Sequence, residues 1–254
     1  MAGEAKTTNF AVGTATVMLG PLASLMDLNS ANHSIGLVKN LSVNTDATYL
    51  ELTQGVRNNL VYSVMTGQTT RITAEVYEMT ARNLTYGLGL DGTALVAQTA
   101  ATTLSTNMNA NVALAQMVNG AVFNVSDWIS FQPDLTSDEV QFRKITAIAT
   151  NNVTVSANVP LLIPAGALVK RMNFINVAGE ATPDFLSMKV AGQLADGAPV
   201  VMLFPKVRIT KGFTMGFNTD NYGNLPFEIA AYAQVPTDPF FATIKAQAVL
   251  GITS

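Results

Sequence analysis

The sequence predicts a mainly β protein: a β-sandwich or half-barrel of two antiparallel sheets, one short flanking α-helix, and an inserted small β-barrel-like module. Three observations predict it. Only 12% of the 254 residues are charged while 48% are apolar, where a soluble domain usually carries about 25% charge. Neutral polarity stands in for charge, with 29 Thr and 21 Asn, and Thr favours the half-buried pleated surface of a sheet. Apolar residues recur mostly at every second position in runs closed by Gly, Asn and Pro. Disorder, which needs low hydrophobicity and high charge, is excluded, as is a coiled coil.

Residues 1–15, small and Thr-rich, read as a loose arm. Ala15–Met26 is apolar and broken at Gly20-Pro21. Ser34–Thr53 reads as extended, and Gln54–Asn59 (QGVRNN) as a turn. Leu60–Thr66 is a β-type run. After Gly67-Gln68, Thr70–Met79 alternates cleanly, with Ile72, Ala74 and Val76 on one face and Arg71, Thr73, Glu75 and Tyr77 on the other. The period then changes. Thr80 is placed to cap a short helix carrying Leu84 and Leu88, ended by Gly87, Gly89 and Gly92. Residues 93–118 fit a helix or weak strands equally.

Residues 119–174 read as a separate module of short runs at Val122–Val125, Trp128–Phe131, Phe142–Ala149, Val153–Ala157 and Ala167–Asn173. Its size suits an insertion whose ends lie together. Trp128, the single tryptophan, is expected in its core. Beyond residue 175 alternation returns at Phe185–Ala191, Val200–Ile209 and Phe227–Ala233, with Asn218–Asn224 as a turn. The division is therefore 1–118 with 175–254 as one body with terminal arms, and 119–174 as the insert.

Candidate chemistry is thin. The single histidine, His33, has no nucleophile pattern near it and reads as a loop histidine. Cysteine is absent, which removes disulfides and thiol chemistry. Asp134, Asp138 and Glu139 lack the spacing of a calcium loop. Glu75 and Glu78 are three apart on a strand, so they point to opposite faces. The string G-L-G-L-D-G at 87–92 follows a helix rather than a strand, and reads as a helix end and not a phosphate loop. Lys206, Arg208 and Lys211 with Phe204 and Phe213 could form a nucleic-acid stripe. The net charge of −3 argues against one, and a polar sheet face is the simpler reading. The start has no secretory leader pattern, and the apolar stretch Pro199–Pro205 is far below the ~20 residues of a membrane span. A soluble, intracellular product with no catalytic site, metal or cofactor is expected. Little charge suits a self-assembling subunit whose interfaces strand no ions.

The stretch Ala47–Leu90 (ATYLELTQGVRNNLVYSVMTGQTTRITAEVYEMTARNLTYGLGL) resembles the core of bacteriophage tail tube proteins. A long hairpin precedes a strand ending in an acidic residue, Glu78, then a short helix with an Asn83-Leu84 pair. Val201–Gln234, with FPKVRITKGF and LPFEIAAYAQ, is similar to the closing strands of that family. The resemblance covers about residues 34–92 and 184–250, and 119–174 departs from it. It implies a fold shared with contractile secretion-system and pyocin tubes, and hexameric rings stacked into a hollow tube that conducts DNA during ejection. It implies a place in the virion tail, assembly in the host cytoplasm, and arms that reach neighbouring subunits. It further implies sheath, tail-terminator and baseplate or tail-tip proteins as partners, DNA passing without specific binding, and no membrane. The stacking hairpin would carry Thr48, Glu51, Gln54, Arg57 and Asn59. The bore would be lined by Arg71, Thr73 and Glu75, and the insert would decorate the outside. The alternative from another class is a β-sandwich binding or adhesion module without tube assembly, which calls for an aromatic platform.

Overall fold

The computed structural model describes residues 11–54, 58–90, 100–132, 140–175, 184–214 and 223–252. Among the described residues strands hold 57% and helices 8%, so the mainly β expectation holds, with two antiparallel sheets. The chain forms two compact units, residues 1–94 with 177–254 and residues 95–176, each built on one sheet.

In the first unit, β1 (Ala11–Pro21), β2 (Val38–Gln54), β3 (Asn59–Val76), β10 (Leu186–Leu194), β11 (Pro199–Lys211), β12 (Leu225–Ala231) and β13 (Val249–Ile252) form a seven-stranded sheet. Its order is β1-β10-β11-β12-β3-β2, with β13 beside the first half of β11. The sheet curls until its ends meet: the Ile35 N–H donates to the Val17 carbonyl at 3.1 Å, just before β2. The alternation read from sequence is the cause. Ile72, Ala74 and Val76 of β3 and Leu225, Phe227, Ile229 and Ala231 of β12 all point inward. All of these but Ala74 meet Val17, Leu19, Met188, Phe204 and Val207 in one apolar core. Each fully buried Leu, Ile or Phe contributes about 1.5–3 kcal/mol.

Two helices stand among the described residues: the single turn α1 (Ser30–His33) and the expected helix α2 (Ala81–Gly87). Thr80 caps α2 as expected, its hydroxyl accepting from the Asn83 N–H at 3.1 Å. The glycines end it, Gly89 taking φ +79°; Gly92 lies outside the described residues. Gly87 and Gly212 touch so closely that a Cβ on Gly87 would sit 2.8 Å from the Gly212 carbonyl oxygen.

Several boundaries differ from the sequence reading. Residues 11–15 belong to β1 rather than to an arm. Gly67-Gln68 does not divide β3, because pairing with β2 continues through a register shift at Thr48/Tyr49. The C-terminal residues do not form a free arm: Val249–Ile252 pairs with Val200–Leu203 of the same chain.

The second unit begins at Leu95, not at 119. The ambiguous stretch supplies two weak strands, β4 (Ala101–Thr103) and β5 (Val112–Gln116). They flank β6 (Trp128–Gln132), β7 (Gln141–Ala149), β8 (Asn152–Val159) and β9 (Leu168–Met172) in the order β4-β9-β6-β7-β8-β5. The sheet closes on itself, since Leu104 bridges Met117 and the Val118 N–H donates to the Thr103 carbonyl at 2.9 Å. Without residues 95–118 the barrel would lack two staves, which is why the boundary falls earlier. Ile129, Phe131, Ile145, Val153 and Val169 fill the inside. Trp128 is not among them: it stands half-buried on the outer face of β6.

Candidate functional site

Beyond Thr45 and Thr70, whose hydroxyls lie 3.2 Å apart, β2 and β3 continue as a bare two-stranded hairpin. The nine residues Asp46–Gln54 rise about 3.3 Å each, a reach of about 30 Å. Every described residue of this extension on both strands is exposed. Register places Leu50 opposite Val64 and Leu52 opposite Tyr62. These four form one apolar face, with Leu50 68% and Tyr62 64% exposed. Tyr49 pairs with Met65 and Glu51 with Ser63 on the other face.

The expected stacking residues Thr48, Glu51, Gln54 and Asn59 all lie on this extension, and Gln54 pairs with Asn59 near its tip. Arg57 lies outside the described residues. The sequence reading selected the polar members and missed Leu50, Leu52, Tyr62 and Val64. Their signal was present in the alternation of 50 with 52 and 62 with 64, but alternation alone does not say that no layer covers the face.

A second surface is the polar side of the same sheet. Arg71 and Thr73 are exposed and Glu75 is half-exposed, all on the face opposite the core. Neighbouring strands extend each row: Asn44–Arg71–Ala230, Ser42–Thr73–Glu228 and Lys39–Glu75–Pro226. Asn44, Asp46, Arg71, Thr73, Lys211 and Glu228 line a depression of about 640 Å³. Signs are mixed across it. Lys211 pairs with Glu228 at 3.1 Å, and the Glu75 carboxylate accepts from the Tyr77 hydroxyl at 3.1 Å. That hydrogen bond, with desolvation and the charge of Glu75, holds the Tyr77 phenol above its ordinary pKa.

The basic stripe at 206–211 is already engaged. Lys206 is buried and donates to both carboxylate oxygens of Asp238, at 2.8 and 3.0 Å. Arg208 stacks over the Phe185 ring at 3.9 Å, and Phe204 is in the core. Phe185 meets Tyr232 edge-on, with centroids 5.3 Å apart. His33 stays local, its Nδ1 accepting from the Asn29 N–H at 3.3 Å. Glu78 is bound to the Leu37 N–H at 3.1 Å, away from Glu75. Asp134, Asp138 and Glu139 lie outside the described residues.

Among the described residues no three His, Asp or Glu side chains gather as a metal set. No helix among them is long and apolar enough to cross a membrane. Fold and surface together define a two-unit β protein whose main sheet extends into an uncovered apolar hairpin. No family model and no curated protein matches the chain.

Proposed function

We propose that this chain is the structural subunit of a phage-type tail tube, forming hexameric rings that stack into a hollow conduit for DNA. The uncovered hairpin carries the reading. A two-stranded hairpin standing alone is marginally stable in water, and an exposed apolar face of this kind marks an interaction surface. A neighbouring copy that buries Leu50, Leu52, Tyr62 and Val64 gives the extension its stability. It also covers the free outer edge of β2, which otherwise offers a row of unpaired backbone groups.

The polar face with Arg71, Thr73 and Glu75 suits a bore. Phosphate binding grows with the number of uncompensated cations, and here the cations stand among Asp46, Glu75 and Glu228. A hexamer of chains at −3 carries about −18 per ring, so DNA would slide without being held. Sheath, terminator and tail-tip proteins would be further partners, with the second unit outside. An adhesion module without assembly leaves the hairpin uncovered.

Negative-stain electron microscopy of the purified chain tests the reading. Rings or tubes are expected, with tubes shortened by Arg57→Glu. A monomer near 27 kDa that never polymerises at high concentration would overturn it.

A further inference from the structure

The second unit carries an aromatic cluster that its own barrel does not use. Trp128 of β6 lies 4.3 Å, centroid to centroid, from Phe174, which in turn lies 5.6 Å from Phe142 of β7. Phe142 is 46% exposed and Phe174 50%. Rings of this size are normally the first groups a fold buries, yet the barrel interior is filled by Ile129, Phe131 and Ile145 from the same strands. Alternation therefore sends Trp128 and Phe142 outward.

Register gives the surroundings. Lys144 and Met172 flank Trp128 from either side, and Phe142 and Lys170 flank Ser130. The two arginines of these strands are committed elsewhere. Arg171 pairs with Asp127 at 2.8 Å, and Arg143 donates to the backbone carbonyls of Phe142, Ala157 and Asn158. Lys144 and Lys170 are exposed and make no ion pair among the described residues. The face thus joins tilted aromatic rings to two uncompensated cations, on a chain of net negative charge.

We propose that this face binds an anionic polysaccharide of the uronic-acid class. The C–H faces of a pyranose carry partial positive charge and stack on the negative face of an aromatic ring, by the electrostatics that draw cations there. Carboxylates on the sugar meet Lys144 and Lys170. A neutral glycan would use the rings alone, and a purely electrostatic ligand would not need them. This inference does not rest on the tube reading, because the face lies wholly within the second unit.

Trp128 is the chain's only tryptophan, so its emission reports on the site directly. Trigalacturonate is titrated into the full chain at low salt, with neutral maltotriose as comparison and thermal melting as the folding control. A saturable emission change is expected, with a dissociation constant on the order of 1 mM. It should weaken about tenfold in Lys144→Glu with Lys170→Glu, about tenfold in Phe174→Ala, and steadily as salt rises to about 0.5 M. No saturable change, or an equal response to maltotriose, overturns the proposal. So does an emission change that follows protein concentration alone, which would mean a second copy covers the face. Should a variant fail the folding control, the wild-type salt series and the maltotriose comparison still decide.

Discussion

The carboxylate of Glu78 fills the space where a side chain on residue 36 would stand. A Cβ built on Gly36 falls 2.0 Å from the Glu78 carboxyl carbon, and Gly36 takes φ +82°. From there Glu78 accepts from the Leu37 N–H, while Asn83 donates to the carbonyls of Ile35 and Glu78 at 2.9 and 2.7 Å. Glu78 and Asn83 therefore clamp the start of β2 to the end of β3.

Gly36→Ala should lower stability by about 2–4 kcal/mol. The left-handed backbone costs an L-residue about 1–2 kcal/mol, and displacing Glu78 strips a backbone donor of its partner. Urea unfolding with an unchanged m-value is the measurement. A loss under about 0.5 kcal/mol would show that the turn relaxes freely.

Asn83→Leu keeps the branched shape but leaves two carbonyls without the Asn83 donor, beside a side chain that is 1% exposed. A cost of about 2–4 kcal/mol is expected in the same assay. Leu84→Ala, on the same helix but only partly buried against the core, should cost less.

The Lys206–Asp238 pair makes stability pH-dependent. The hydrogen bond from Lys206, then the Val235 N–H, hold the Asp238 pKa below its ordinary value. Its contribution is therefore complete above the unfolded pKa of about 4 and is lost as pH falls through the lower folded value. Asp238→Asn, which leaves a buried ammonium without its counter-ion, should cost about 3 kcal/mol at pH 7. The gap to wild type should narrow as pH drops below 4, and melts at pH 7 and pH 3 measure it.

Leu50→Asp with Tyr62→Asp should leave the monomer's unfolding free energy within about 0.5 kcal/mol, because neither side chain touches the core. Assembly is expected to fail. Electron microscopy beside denaturant melts separates the two effects, and normal tubes from a folded variant would remove the hairpin from the interface.

Deleting residues 95–176 across a short linker should leave the seven-stranded sheet folded. The second unit's first and last strands, β4 and β9, pair antiparallel, with Ala101 opposite Lys170, so its ends lie side by side. Circular dichroism and a cooperative melt of the remainder check this. Tubes assembled from the deleted chain would show the unit to be decoration.

The main sheet was legible where one face is buried. The inward positions of β3 and β12, the Thr80 cap and the glycine stop after α2 follow from local pattern and hydrogen-bonding chemistry. The strands at 101–103 and 112–116 were not legible, because Ala and Asn, which disfavour strands, offset Thr, which favours them, and the pairing that decides comes from the closed barrel. Trp128 was misplaced for a related reason. One strand carries apolar residues on both faces, Ile129 and Phe131 inward and Trp128 outward, so hydrophobicity cannot say which side is the core.

The sequence by itself determined the β class, the period of each long strand and the poverty of charge, since these are sums of local preferences. Tertiary structure alone decided which apolar faces stay uncovered. Covering depends on what lies across the sheet, and among the described residues Leu50, Leu52, Tyr62, Val64, Phe142 and Phe174 all stay exposed.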